Sequence, residues 1–164
     1  MTVHAPADAG VRVHVPRINP YQVNAQLMAP MMALEEQFKA SSLEPLLIEL
    51  VKMRASQING CAFCLHMHSK DARTMGEREE RLHLLNAWEE SAYYTPRERA
   101  ALAWTEALTL VAQTHAPDAA YAEMAEQFSS EEQIQLTLLI TTINAWNRLA
   151  IGFRMAHPRA WSAG

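Results

Sequence analysis

The chain has 164 residues, 49% of them hydrophobic, and 14 basic against 18 acidic residues give it a formal charge of −4. A chain of this size buries roughly two-thirds of its unfolded surface in one core, so folding needs no metal or disulfide staple. The charge balance lacks the basic patch that phosphate neutralisation demands, which argues against a nucleic-acid partner.

Residues 1–15 contain no apolar stretch behind a charged start, so they read as a flexible N-terminal tail rather than a secretory signal. The helical domain is expected over 16–158, with 159–164 as a C-terminal tail. Only five glycines occur, Val-rich alternating runs are few, and Ala, Leu, Glu, Gln and Met abound, which together predict an all-α, single multihelical domain.

In chain order, residues 16–20 read as extended and 21–39 as helical, with Pro30 either kinking that helix or opening its second part. Ser41 and Glu44 have capping-box spacing ahead of Pro45 and predict a helix over 43–59 that stops at Asn59-Gly60. Residues 61–75 form the next helix, closed by Gly76 as a left-handed cap, and 77–90 another. Thr95-Pro96-Arg97-Glu98 is a strong start for a helix over 96–112, and a short one follows Pro117. Ser129 with Glu132 repeats the capping box and opens a long helix over 130–155, apolar around much of its circumference. No apolar run reaches the roughly 18 residues a membrane span needs, so a soluble cytoplasmic protein without a membrane partner is expected.

The chemistry-bearing residues lie in one stretch: Glu49, eleven residues, Cys61, two residues, Cys64, three residues, His68. A local Cys-x-x-Cys bridge closes too short a loop to staple a fold, so in a reducing cytosol the pair is redox-active or metal-binding more often than structural. With a break at Gly60, the free N–H groups of the following helix stand beside the sulfurs and favour thiolate. A thiolate attacks a peroxide oxygen to give sulfenic acid, and a second cysteine nearby condenses with it to a disulfide. His68 lies one turn beyond Cys64 on the same face, His66 points elsewhere, and a helical hairpin at Asn59-Gly60 brings Glu49 back toward His68 or Cys64 for proton handling. Spacing alone does not decide between Cys61 and Cys64 as nucleophile. Zinc held by Cys61, Cys64, His68 and Glu49 is a competing reading, though no second Cys-x-x-Cys or paired histidine exists to build a separate four-ligand site. The nine methionines, Trp104 and Trp146 read as packing and subunit contacts rather than a binding box, and Asn144 with Arg148 as a buried polar pair.

This arrangement, with Ser56-Gln57-Ile58-Asn59 before it and Met67-His68-Ser69-Lys70-Asp71-Ala72-Arg73, Leu102-Ala103-Trp104-Thr105-Glu106-Ala107-Leu108 and Ile143-Asn144-Ala145-Trp146-Asn147-Arg148-Leu149 after it, resembles the AhpD-like alkylhydroperoxidases of the carboxymuconolactone decarboxylase superfamily. The resemblance spans residues 17–154. It implies an oligomeric all-helical subunit, commonly a trimer or hexamer, and a thiol-dependent peroxidase that reduces organic hydroperoxides or hydrogen peroxide. In that reading Cys64 is peroxidatic, Cys61 resolving, Glu49 and His68 the proton relay, and an external protein or small-molecule dithiol the reductant, with no haem, flavin or metal. One departure is Phe63, where the founding peroxidase has a second histidine. A lactone decarboxylase working by acid–base chemistry, and a disulfide redox sensor without turnover, are the alternatives.

Overall fold

The computed structural model describes residues 15–157, so the two expected tails, Val15 excepted, lie outside the described residues. Among the described residues every regular element is helical: α1 (Pro20–Gln37), α2 (Pro45–Asn59), α3 (Ala62–Thr74), α4 (Glu79–Leu84), α5 (Pro96–Thr109), α6 (Val111–Thr114), α7 (Asp118–Gln127) and α8 (Ser130–Phe153). Short 3-10 turns follow α1 at Phe38–Ala40 and α4 at Leu85–Ala87.

Local chemistry sets the boundaries. Asn19 caps α1 by accepting from the Tyr21 backbone N–H at 3.0 Å. The break in α1 falls at Asn24, not at Pro30: Asn24 is extended (φ −160°) and its Oδ1 accepts from Gln26 N–H at 3.1 Å, so an internal asparagine cap opens the second part and Pro30 lies within it. The capping box expected at Ser41 and Glu44 does not form. Ser41 Oγ instead donates to the Phe38 carbonyl at 2.8 Å, Glu44 is bound by Arg97 at 2.8 Å, and α2 begins at Pro45. The boxes at Thr95–Glu98 and Ser129–Glu132 are both present. The helix expected over 77–90 is cut short because the Arg99 guanidinium binds the carbonyls of Trp88, Glu89 and Ser91 at 2.7–3.2 Å.

Gly60 adopts φ +69°, and the chain reverses there with Cys61 N–H donating to the Ser56 carbonyl at 2.9 Å. That turn makes α2 and α3 a hairpin. α2 is the hub, packing on α3, α5 and α8. Leu47, Val51, Leu136 and Leu139 join it to α5, α7 and α8 in one cluster, while Leu50, Leu82, Leu85 and Leu102 fill a second. A third, smaller cluster holds both cysteines with Ala55, Ile143 and Ala150. α8 buries Leu136, Leu139, Ile140 and Ile143 but leaves Ile134 and Leu138 exposed. Among the described residues no helix is long and apolar enough to cross a membrane.

Candidate active site

Cys61 is the residue immediately before α3 and Cys64 sits in its first turn, both buried and both free thiols. The expected helix over 61–75 thus opens one residue later, with Cys61 as its N-cap. The two thiols interact. A hydrogen bond from the Cys64 thiol is the largest of the influences that bring Cys61 down to about 6, and burial opposes it. Backbone N–H groups of Cys64 and Phe63 at the start of α3, and Asn147, act in the same sense as the thiol. Cys64 is raised far above an ordinary thiol, because it donates to Cys61, is buried and faces the Cys61 charge. The pair therefore shares one proton, with the anion resting on Cys61.

Asn147 is fully buried under this pair. Its Nδ2 donates to Ser56 Oγ at 3.0 Å and its Oδ1 accepts from Asn59 Nδ2 at 2.9 Å, fixing the carboxamide between α2 and α8. Asn59 also donates to Asn144 Oδ1 at 2.9 Å. Asn144 and Arg148 do pair, at 3.0 Å, but Arg148 is exposed, because only the Asn144 side of α8 faces the core.

Glu49 on α2 and His68 on α3 meet across the hairpin, Nδ1 to Oε2 at 2.8 Å, at only 6% and 5% exposure. Their approach follows from the sharp turn at Gly60. Both line a cavity of about 580 Å³ together with Cys64, while Cys61 lies outside it. The rest of the wall is mostly apolar: Phe63, Ile48, Phe38 and Trp146, with Met32, Met67, Met75 and Met155. Met53 and Met124 pack in the core as expected, whereas these four methionines and Trp146, read from the sequence as packing and subunit contacts, line the cavity instead. Methionine is flexible, and around a concave wall it supplies adaptable apolar contact. Trp104 remains in the core, donating to Thr137 Oγ1 at 3.0 Å. His66 points away from the site and stacks on His157 at 5.5 Å.

Three polar groups of this site were not singled out from the sequence. Asp71 follows His68 by three residues on α3, and its carboxylate lies within 4.8 Å of donor atoms of both Glu49 and His68. The spacing from His68 was the available signal. Lys52, 5% exposed, pairs with Glu35 of α1, and Glu35 also accepts from Trp146 Nε1 at 3.2 Å, which ties α1 over the cavity. No local pattern marks that contact, because its partners come from three helices.

Known proteins resemble this chain in sequence and in fold. The profile of the carboxymuconolactone decarboxylase family matches residues 25–107. YdfG of Bacillus subtilis, an uncharacterized protein, is 43% identical over 135 residues, covering 82% of this chain and 92% of YdfG. A solved structure from Agrobacterium tumefaciens, of unknown function and suggested to be the antioxidant defence protein AhpD, is 44% identical with a TM-score of 0.86, covering 89% of this chain and all of that one. The debrominase Bmp8 shares the fold at 20% identity and a TM-score of 0.74, over 84% of this chain and 74% of its own. The chain belongs to the carboxymuconolactone decarboxylase family and is AhpD-like.

Proposed function

We propose that the protein is a thiol-dependent peroxidase that reduces hydroperoxides through a Cys64–Cys61 dithiol/disulfide cycle. One observation carries this reading: Cys64 opens into the same cavity as the buried Glu49–His68 pair and is packed in one small cluster with a second free thiol, Cys61. The Cys61 anion takes the shared proton, leaving thiolate on Cys64. That sulfur attacks the distal peroxide oxygen, the O–O bond breaks, and the departing alkoxide leaves as alcohol with a proton passed through His68. Cys61 then displaces hydroxide from the sulfenic acid, which departs as water with the Cys61 proton as the disulfide forms. An external dithiol, protein or small molecule, reduces the disulfide and is itself oxidised. Glu49 orients the imidazole through Nδ1. The scheme calls on no haem, flavin or metal. Phe63, standing where the family's founder has histidine, adds apolar wall rather than a second proton path.

The assay is peroxide consumption with a dithiol donor. Cys64→Ser is expected to be inactive and Cys61→Ser to oxidise once but turn over poorly; equal activity in wild type and both variants would remove the thiol mechanism. The second reading, acid–base chemistry of the decarboxylase type, draws on the 2.8 Å Glu49–His68 contact alone and predicts an activity that survives replacement of both cysteines. Disulfide formation without turnover by any dithiol would mark a sensor instead.

The subunit is proposed to assemble into a homo-oligomer, a trimer or hexamer. Supporting this, Ile134 and Leu138, one turn apart on α8, are 62% and 43% exposed, and Val23 and Leu27 of α1 are 71% and 75% exposed.

A further inference from the structure

We propose that Glu49, His68 and Asp71 form a binding site for one divalent transition-metal ion of the zinc class, in the cavity wall and separate from the sulfur pair. The three side chains come from α2 and from successive turns of α3, and one donor atom of each lies within 4.8 Å of the other two. At metal–ligand distances of about 2.0–2.2 Å, two ligands of one tetrahedral ion stand about 3.3–3.6 Å apart, so the side chains rotate to draw these donor atoms together around an ion.

Each of the three residues keeps a donor atom without a protein partner. Glu49 and His68 are bonded to each other through Oε2 and Nδ1, and among the described residues no group binds Glu49 Oε1, His68 Nε2 or either carboxylate oxygen of Asp71. They are not sealed in hydrocarbon either, since among the described residues the unpartnered side-chain polar atom enclosed by protein is Glu77 Oε2, elsewhere in the fold. All three residues face the cavity.

Charge points the same way. The cavity wall carries Glu35, Glu49 and Asp71 against Lys39 and Lys52. Lys52 is taken by Glu35 and Lys39 by Glu36, which leaves Glu49 and Asp71 side by side without a fixed cation. A divalent ion relieves that repulsion in a site where apolar walls strengthen it. One imidazole with two carboxylates suits zinc, manganese or ferrous iron over the all-oxygen preference of magnesium and calcium, and three protein ligands leave a position open to the cavity. The sulfurs are not part of this set, unlike the zinc arrangement weighed from the sequence.

Such an ion occupies the imidazole and carboxylate that the peroxide cycle employs, so it inhibits that cycle; this consequence, unlike the site, rests on the peroxidase reading. The test is calorimetric titration of zinc chloride into the full chain bearing Cys61→Ser and Cys64→Ser, so that thiols contribute nothing. One ion per subunit is expected, with affinity at least tenfold weaker on adding Asp71→Asn or His68→Gln and no comparable binding of magnesium. Absence of zinc binding, or binding untouched by both substitutions, overturns the site. In the wild-type protein, zinc is expected to slow peroxide turnover, and to do so less in Asp71→Asn relative to that variant's own zinc-free rate. A protein with zinc binding but no peroxidase activity would refute only the functional reading, and an active protein without zinc binding only the site.

Discussion

Replacing Cys64 by alanine removes the largest influence that holds Cys61 down, namely the hydrogen bond from the Cys64 thiol. With a midpoint of about 6 against the ordinary 9.0, Cys61 is about 90% thiolate at pH 7; a full return to the ordinary value leaves about 1%, a change worth about 4 kcal/mol. The backbone N–H groups of Phe63 and Cys64 and the Asn147 side chain remain, so Cys61 is expected to rise but to stop short of the ordinary value. Serine at position 64 keeps an O–H donor and should hold Cys61 nearer its original value. The measurement is the ultraviolet thiolate absorbance of the reduced proteins against pH, paired with the pH dependence of alkylation by iodoacetamide. If Cys64→Ala and Cys64→Ser both titrate near the wild-type midpoint, the helix start alone holds the anion and the thiol–thiolate pair has been misread.

The same pair sets a pH dependence of stability. Cys61 is depressed in the fold, so it contributes stability that is complete above the unfolded value of 9.0 and lost as pH falls through about 6. Cys64 is raised, so it opposes folding only above 9.0, where the unfolded chain ionises and the folded one does not. Urea midpoints of the reduced protein should therefore rise from pH 6 to 8.5 relative to Cys61→Ser; parallel curves would contradict it. His68→Gln should lower kcat/KM for peroxide reduction by about 10²-fold and Glu49→Gln by at least tenfold, with the far-ultraviolet dichroism unchanged; unaltered rates exclude the relay. Gly60→Ala meets no atom within 4 Å but forces a side chain into φ +69°, so a loss of about 1–2 kcal/mol in urea unfolding is expected, and a neutral result would show that the turn relaxes freely.

The helices were legible because their termini carry local chemistry. Thr95–Glu98 and Ser129–Glu132 satisfy their own backbone donors, and Gly60 and Gly76 hold the positive φ that ends α2 and α3, so no distant contact is needed to place those boundaries. Ser41–Glu44 has the same spacing and fails, because Arg97 from α5 takes the glutamate, a competitor 53 residues away that no window around Ser41 contains. Likewise the helix over 77–90 gives way to Arg99, whose guanidinium collects carbonyls the sequence pattern assigns to a continuing helix. At the site, the Cys-x-x-Cys-x3-His spacing fixed what shares α3, and the Gly60 turn carried Glu49 to His68. The methionine wall, the Lys52–Glu35 pair and Asn147 were illegible for one reason: each depends on which faces of α1, α2 and α8 converge, and single-helix periodicity does not encode that.

Acidity and access fall on different sulfurs, and this division has a kinetic consequence. Cys61 has the anion but no opening to the cavity; Cys64 has the opening but, while Cys61 is charged, holds its proton far beyond neutrality. Attack from Cys64 in the wild-type protein therefore draws on the ionisation of the pair, and the rate of thiol oxidation should rise with pH through about 6 and then level. In Cys61→Ser the two causes that depend on Cys61, the donated hydrogen bond and the opposing charge, are gone, leaving burial against the help of Asn147 and Ser56. The Cys64 ionisation should then return toward the ordinary 9.0, and single-turnover oxidation in this variant should rise only near that pH. A stopped-flow pH series on both proteins decides it. Coincident profiles would mean that Cys64 ionises without reference to its neighbour, and the shared proton would have no part in the chemistry.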